Sequence, residues 1–239
     1  MQRSQIFLAL DFPSGKETLE FLEKNELSSV PVKIGMELFY QEGPSIIETL
    51  LKKDHLIFLD LKLHDIPNTV QRAMQRLASL GVSMVNVHAA GGQKMMEAAK
   101  EGLIKGTPHG KNLPLLIGVT QLTSTTEDIL KKDLLINASL QETVQHYASI
   151  SSQAGADGVV CSVHEIPLIK ERCGDDFLCV TPGIRLSNGE HHDQARVATP
   201  FYAREMKSDF IVVGRVVTQS EQPKEVYQHI KEQWDYENH

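Results

Sequence analysis

The chain has 239 residues, of which 41% are hydrophobic and 23% are charged, an ordinary globular composition unlike that of a disordered or coiled-coil protein. Its formal net charge is −7 and it has no basic tail, which argues against nucleic acid or an anionic membrane as its main partner. One α/β barrel typically has about 250 residues, so the length predicts a single domain over residues 1–239.

Two features bear on the cellular compartment. The apolar run that ends at Asp11 is too short for a signal-peptide core or a membrane span. The three cysteines, Cys161, Cys173 and Cys179, form neither a CxxC pair nor an even disulfide framework, which is typical of a reducing compartment. We therefore expect a cytoplasmic protein whose cysteines pack as small apolar residues.

Apolar, β-rich runs alternate along the chain with stretches of helical periodicity. The predicted strands are Ile6–Leu10, Val30–Ile34, Leu56–Leu61, Met84–Val87, Leu115–Val119, Gly158–Val160, Phe177–Val180 and Phe210–Val213. The predicted helices are Lys16–Lys24, Pro44–Lys52, Thr69–Ser79, Gln93–Glu101, Leu140–Gln153, Glu165–Arg172, Thr199–Met206 and Pro223–Trp234. Eight parallel βα units close a barrel more naturally than they form an open sheet. The sequence therefore predicts an α/β fold, a single (β/α)8 TIM barrel with its active site at the C-terminal ends of the strands.

Polar residues or glycines stand at the ends of several predicted strands, where apolar residues would otherwise be expected. They are Asp11, Lys33, Asp60, Lys62, Asn86, His88, Thr123, Gly214 and Arg215. Each unpaired polar group at a strand end would cost free energy, so stability alone does not explain all of them. In a barrel they would gather at one end, which predicts a polar site there.

The segment from Asp60 to Asp65 is the most informative part of the chain. Residues two apart in a strand point to the same face, so Asp60 and Lys62 share a face, while Asp65 falls just past the strand end. Buried charges are costly unless they neutralise one another or serve chemistry. Together with Lys33 on the preceding strand, they predict a charged catalytic cluster.

A long polar loop follows predicted strand seven. Loops after the last two strands of such barrels frequently bind phosphate, and Gly214 with Arg215 would suit an anion. Arg185 and Gln194 flank the polar span and could fold over a ligand as a lid, although a plain solvent loop with an incidental Arg is the alternative. The adjacent His191 and His192 lack a third spaced ligand, so no metal site is expected.

These motifs, taken together, resemble the orotidine 5′-phosphate decarboxylase family in its bacterial form. The resemblance covers nearly the whole chain, in order and at the family's spacing. It rests on Leu8–Asp11, Val32–Gly35, Phe58–Thr69, Val87–Gly92, Thr181–Arg185 and Val212–Arg215. Lys33 discriminates within the superfamily, because the metal-dependent sugar-phosphate relatives carry an acidic residue at the equivalent position.

The resemblance implies an activity and a set of roles. The activity is decarboxylation of orotidine 5′-phosphate to uridine 5′-phosphate, the last step of de novo pyrimidine nucleotide synthesis, without metal or organic cofactor. Lys62 is implied as the proton donor to C6, with Lys33, Asp60 and Asp65 completing an alternating charge network. The implied substrate contacts are Asp11 and Lys33 to the ribose, Thr123 to the pyrimidine, and Gln194, Gly214, Arg215 and the loop residue Arg185 around the phosphate.

The same resemblance implies a homodimer. In the family the last Asp of the motif reaches into the partner's site, so Asp65, Ile66 and Thr69 are expected to serve the neighbouring subunit.

Three alternatives stay open on the residues alone. A metal-dependent sugar-phosphate decarboxylase or lyase would use Asp60 and Asp65 to hold a divalent cation. A noncatalytic barrel that binds pyrimidine phosphates would gain little from two buried lysines. A Schiff-base aldolase using Lys62 is disfavoured, because flanking carboxylates oppose the lowered pKa that such a lysine needs.

Overall fold

The computed structural model describes residues 5–186 and 198–235. In these residues, eight parallel strands form a closed barrel. Each strand pairs with its neighbour in chain order, and β8 closes the barrel by pairing with β1. The strands are β1 (Gln5–Ala9), β2 (Val32–Gly35), β3 (Ile57–Leu63), β4 (Met84–His88), β5 (Leu115–Val119), β6 (Gly158–Val160), β7 (Leu178–Thr181) and β8 (Phe210–Val213). The predicted (β/α)8 barrel is confirmed.

Helices connect the strands. They are α1 (Gly15–Lys24), α2 (Met36–Glu42), α3 (Pro44–Leu51), α4 (Pro67–Ser79), α5 (Gln93–Gly106), α6 (Glu127–Lys132), α7 (Leu140–Gln153), α8 (Ile166–Cys173), α9 (Pro200–Glu205), α10 (Arg215–Thr218) and α11 (Pro223–Asp235). The sequence did not predict α2, α6 or α10. These helices have 7, 6 and 4 residues and bury one residue each, too little for a recognisable apolar period.

The strands separate the core into two layers because successive side chains alternate between faces. One set fills the barrel interior: Phe7, Ala9, Phe58, Met84, Ile117, Leu178, Val180, Phe210 and Val212. The other set packs outward against the helices. Phe7 lies against Phe58 and Phe210, with ring centroids 5.7 Å and 6.0 Å apart. These rings fill the interior, so the polar side chains of the strands lie above them, toward the C-terminal ends.

Two ion pairs, one largely buried and one half-buried, hold the opposite, N-terminal end of the barrel. Lys170 on α8 donates to Asp209 Oδ2 at 2.7 Å and to the carbonyl oxygens of Asp175 and Phe177, both at 2.9 Å. Lys100 on α5 contacts both carboxylate oxygens of Asp157, at 2.9 Å and 2.8 Å. Each Asp precedes an even-numbered strand and also accepts a backbone N–H from the strand before it. The pairs therefore tie a helix to two strands.

The remaining sequence expectations concern membranes and cysteines. None of the helices in the described ranges has the length and apolarity required to cross a membrane. Cys161 and Cys179 are buried and Cys173 is half-buried, all as free thiols. Burial raises the pKa of the Cys173 thiol, and the pKa of Cys161 is raised by its hydrogen bond with Cys179 and by burial. Buried thiols of this kind pack as apolar residues.

Candidate active site

A cavity of about 360 Å³ opens at the C-terminal ends of the strands. Most of the strand ends and the loops after them contribute to its wall. The lining residues include Asp11, Lys33, Asp60, Lys62, Gln121, Thr123, Ser124, Gly183, Arg185, Gly214 and Arg215, with Ala9, Phe58, Val180 and Val212 as the apolar floor. Polar side chains above an apolar floor form the kind of pocket that orients a small ligand.

Strand β3 supplies the centre of the site. Phe58, Asp60 and Lys62 alternate with outward-facing residues, and all three line the cavity. The pairing of β3 with β4 shifts within this stretch: Leu59 pairs with Val85, but Leu63 pairs with Val87. Between these two pairs, β3 has three residues where β4 has one, Asn86. Within this irregular stretch, Lys62 has a positive φ of 49°. Such backbone is uncommon for a residue with a side chain and is often found at functional sites.

The charged side chains form one connected cluster. Lys33 Nζ lies 3.1 Å from Asp11 Oδ1 and 3.3 Å from Asp60 Oδ2, and Lys62 Nζ lies 2.7 Å from Asp60 Oδ1. Asp60 thus bridges two ammonium groups, one at each carboxylate oxygen. The side chains of Lys33 and Asp60 are each 11% exposed, so solvent screens this interaction weakly.

Burial and the neighbouring charges act on these groups in opposite directions. Burial alone would lower the pKa of Lys33, but the carboxylates of Asp60 and Asp11 outweigh it and raise this pKa above its usual range. Burial alone would raise the pKa of Asp60, but Lys33, Lys62 and a hydrogen bond from Asn86 bring it below its usual range. Both groups therefore stay charged at neutral pH.

The ligand-binding residues predicted on the last strands also reach the cavity. Thr123 lines it after β5, Arg185 after β7, and Gly214 with Arg215 after β8. Cationic side chains from the loop after β7 and from the start of α10 thus line the same cavity as the lysines. An anion bound there would contact guanidinium donors, the groups that suit phosphate oxygens.

Three predicted residues lie elsewhere in the same chain. Asp65, Ile66 and Thr69 are exposed beyond the end of β3 and do not line the cavity. Asp65 Oδ1 instead accepts the backbone N–H of Ile66 at 2.6 Å. One chain alone therefore brings together Asp11, Lys33, Asp60 and Lys62, but not Asp65. The predicted phosphate residue Gln194, like His191 and His192, falls outside the described residues.

Sequence reasoning placed Asn86 among the polar strand-end residues but gave neither Asn86 nor Gly35 a role in the site. Asn86, on the inner face of β4, is buried and bonds both Asp60 and the backbone of Lys62. A Cβ atom at Gly35 would lie 3.2 Å from Asp11 Oδ1 and 3.3 Å from Lys33 Nζ. A side chain there would crowd that ion pair. Their polar or glycine character at strand ends was the available signal, but the contacts depend on the barrel.

Histidine rings border the cluster without lining the cavity. His88, at the end of β4, lies with its ring centroid 5.8 Å from that of His64. Burial, then the charges of His64 and Lys62, lower the pKa of His88. Among the described residues no group of three or more His, Cys, Asp or Glu side chains is arranged to hold a metal ion.

The cluster can stabilise negative charge and supply a proton. Asp60 Oδ1 is the one hydrogen-bond partner that the described residues give the Lys62 ammonium. Since an ammonium carries three N–H donors, the remaining donors are available to a ligand in the cavity. A fixed cation at such a position lowers the energy of an anion that develops beside it.

A closed barrel with a lysine–carboxylate cluster at the C-terminal ends of its strands defines a (β/α)8-barrel enzyme. The model of the orotidine 5′-phosphate decarboxylase / HUMPS family matches residues 4–230, and the chain belongs to this family. The resemblance found in the sequence is thereby confirmed.

Relatives and solved structures agree with this assignment. A Bacillus cytotoxicus protein named orotidine 5′-phosphate decarboxylase is 57% identical over 230 residues, covering 96% of this chain and 97% of the relative. A Bacillus pumilus protein of the same name is 58% identical over 228 residues, covering 95% of this chain and 97% of the relative. The crystal structure of orotidine 5′-phosphate decarboxylase from Lactobacillus acidophilus is 42% identical with a TM-score of 0.89, covering 98% of this chain and 100% of that one.

Proposed function

We propose that this protein decarboxylates orotidine 5′-phosphate to uridine 5′-phosphate, the last step of de novo pyrimidine nucleotide synthesis, and that Lys62 protonates C6 of the pyrimidine. Family membership and the names of the relatives support the activity. The observation that carries it is the Lys33–Asp60–Lys62 cluster on the cavity wall.

The chemistry explains why such a cluster is needed. When the bond between C6 and the carboxylate breaks, its electron pair stays on an sp² ring carbon and cannot spread into the π system. The site must therefore stabilise negative charge at C6. The Lys62 ammonium does so electrostatically and then transfers a proton to C6, while carbon dioxide leaves. Lys62 regains its proton from solvent before the next turnover.

Asp60 holds the two lysines in place for this step. It contacts Lys33 and Lys62 through different oxygen atoms, so neither ammonium can turn away without losing an ion pair. Lys33 and Asp11, joined at 3.1 Å, are proposed to bind the ribose hydroxyls. The preorganised charges mean that little reorganisation is needed when the carbanion forms.

The far side of the cavity is proposed to hold the rest of the substrate. Thr123 would contact the pyrimidine, and Gly214, Arg215 and Gln194 would hold the phosphate, with Arg185 in the loop above it. The position of Thr123, Arg185 and Arg215 on the wall supports this assignment. Phosphate contacts are remote from C6, yet their binding energy can be used to close the site over the reacting group.

We also propose that the working unit is a homodimer in which the partner supplies Asp65, Ile66 and Thr69. In one chain Asp65 is exposed and does not line the cavity, which supports a role in another subunit. Ile66 is 66% exposed. Helix α2, which follows the neighbouring strand β2, exposes Met36 to 45% and Tyr40 to 70%. A second copy covering this end would bury these apolar groups.

Mixing inactive subunits tests the shared site. Lys62→Ala and Asp65→Ala proteins would be refolded together. If each site takes Lys62 from one chain and Asp65 from the other, mixed dimers carry one intact site of two. Random assortment then restores about a quarter of wild-type activity. Absence of any recovery, with dimers shown to form, would contradict the shared site.

The metal-dependent alternative is less well supported by this geometry. It requires Asp60 and Asp65 to hold a divalent cation together. Both Asp60 oxygens already face ammonium groups. A second cation beside these two lysines would meet electrostatic repulsion.

The decisive experiment follows the absorbance of orotidine 5′-phosphate after protein is added in the presence of EDTA. Rapid loss with the wild type and none with Lys62→Ala is expected. Persistent substrate, together with lyase activity on a sugar phosphate when magnesium is added, would overturn the proposal in favour of the metal-dependent alternative.

A further inference from the structure

The strand β3 leaves its regular pairing with β4 at the residues that carry the charge cluster. Leu59 pairs with Val85 and Leu63 with Val87, so the backbone of residues 60–62 lacks a regular partner on β4. Buried N–H groups without an acceptor are costly, so something must replace the missing ladder bonds. Asn86, the one residue of β4 between Val85 and Val87, occupies this place.

The Asn86 amide makes two bonds of opposite kind. Its Oδ1 accepts the backbone N–H of Lys62 at 2.8 Å, and its Nδ2 donates to Asp60 Oδ1 at 2.6 Å. The two partners fix the orientation of the amide, because a backbone N–H can only donate and a carboxylate can only accept. Asp60 Oδ1 is also the oxygen that accepts from the Lys62 ammonium at 2.7 Å.

Asn86 is 1% exposed and does not line the cavity, so it stands behind the charges rather than beside the ligand. Its amide is linked to both ends of Lys62: directly to the backbone, and through Asp60 to the ammonium. Lys62 has a positive φ of 49°, a conformation that requires support from its surroundings. The direction in which its side chain leaves the strand depends on that conformation.

We propose that Asn86 is a positioning residue for the decarboxylation, which holds the irregular backbone at Lys62 and the Asp60 carboxylate so that the ammonium is aimed at C6. This inference rests on the proposed function. An apolar or small residue at this position would leave the Lys62 N–H and one Asp60 lone pair without partners. The ammonium would then be held less firmly, and its distance from C6 would vary.

Two substitutions separate the two bonds. Asn86→Leu keeps the branched side-chain skeleton, with the same number of heavy atoms, and removes both bonds. Asn86→Asp keeps the acceptor for the Lys62 N–H but replaces the donor to Asp60 with a second carboxylate. The ionisable groups that these changes affect are Asp60, Lys62 and Lys33. As control, Asp157→Asn alters a half-buried hydrogen-bonded carboxylate at the other end of the barrel.

We expect Asn86→Leu to lower kcat about 100-fold, the loss associated with a misplacement of about 1 Å, with KM changed less than about threefold. Asn86→Asp should gain activity relative to wild type as the pH falls. Protonation of the new carboxyl group restores both the donor to Asp60 and the net charge of the native site. The Asp157→Asn control should keep wild-type kcat and its pH profile.

Hydrogen exchange at the Lys62 backbone amide, measured by NMR on the free proteins, tests the positioning without using activity. Exchange should be at least about tenfold faster in Asn86→Leu than in wild type, and unchanged in Asp157→Asn. If Asn86→Leu does not fold, the pH response and exchange of the nearly isosteric Asn86→Asp carry the test.

Unchanged kcat and unchanged Lys62 exchange in a folded variant would overturn the inference while leaving the proposed function intact. An equal loss of kcat in Asp157→Asn would show that the loss in Asn86→Leu comes from general destabilisation, and this result would also overturn the inference. A wild type that does not consume orotidine 5′-phosphate would refute the proposed function instead. In that case the exchange measurement alone would decide whether Asn86 holds the Lys62 backbone.

Discussion

The two ends of this barrel use the same chemistry, buried lysines paired with aspartates, to different effect. At the N-terminal end the three N–H donors of Lys170 all have acceptors: Asp209 and two carbonyl oxygens. At the C-terminal end the described residues give the Lys62 ammonium one acceptor, and the group faces a cavity. Pairing with an aspartate therefore does not by itself separate the two lysines. They differ in exposure, 7% for the Lys170 side chain and 24% for that of Lys62, and in the number of N–H donors left for a ligand.

The difference also appears in what each carboxylate holds. Asp209 accepts from Lys170 and from the backbone N–H of Cys179, so it joins a helix to a strand. Asp60 bridges two lysines and an asparagine, all of them within or behind the site. The first arrangement adds connections between elements of the fold. The second concentrates charge in one place, which requires the rest of the protein to hold it there.

The largest expected effect comes from Lys62→Ala. Losing both the proposed proton donor and the fixed cation should lower kcat by about 10⁴-fold or more, corresponding to about 5 kcal/mol. The midpoint of thermal unfolding should change little, because within residues 5–186 and 198–235 the ammonium is bonded to a single partner. Steady-state kinetics and thermal unfolding of the same preparation measure both. Retention of more than a hundredth of wild-type kcat would remove Lys62 as proton donor.

The corresponding change at the N-terminal end, Lys170→Met, should have the opposite effect: a large loss of stability with little change in kcat. It leaves Asp209 buried without its cation, which typically costs about 3–5 kcal/mol of unfolding free energy. For a domain of this size that lowers Tm by about 10 °C. Below that temperature kcat should stay within about twofold of wild type. A large loss of kcat with an unchanged Tm would contradict the division between the two ends.

A smaller loss is expected from Arg215→Ala. Removing this proposed donor to the phosphate should lower kcat/KM about 150-fold, which corresponds to about 3 kcal/mol of transition-state stabilisation. The exposed Arg172 on α8, far from the cavity lining, offers a matched control in Arg172→Ala, which should behave as wild type. Saturation kinetics with orotidine 5′-phosphate measure both variants. An unchanged kcat/KM in Arg215→Ala would take this residue out of the site.

The smallest effect concerns pH and stability. Burial lowers the pKa of both His55, before β3, and His88, at the end of β4. The unfolded chain then binds protons more readily than the native one. Each histidine therefore contributes stability above its unfolded pKa, which is lost as the pH falls through the lower folded value. The slope stays below about 1.4 kcal/mol per pH unit for each proton.

His55→Gln tests this at the end away from the cavity. His55 is 3% exposed and bonds the Val30 carbonyl oxygen at 2.7 Å through Nδ1. The gap in Tm between wild type and variant should narrow as the pH falls from 7.5 to 5.5, measured by thermal unfolding. A gap of constant size across this range would show that His55 does not titrate differently on folding.

Much of this molecule could be predicted from local sequence. The alternation of apolar runs and helical stretches predicted all eight strands, because strand and helix periods are local properties. The placement of Asp60 and Lys62 on one face followed from the period of two in a strand. The short helices α2, α6 and α10 were missed, since each buries one residue and shows no period.

Only the tertiary structure decided how the cluster is held. The register shift between β3 and β4, the positive φ of Lys62 and the insertion of Asn86 arise from pairing between strands that lie more than twenty residues apart. The exposure of Asp65 outside the cavity of its own chain is likewise a property of the folded barrel. The sequence alone determined which residues carry charge and which face they share, because these follow from the local backbone period. Their distances, protonation and partners depended on contacts between distant strands.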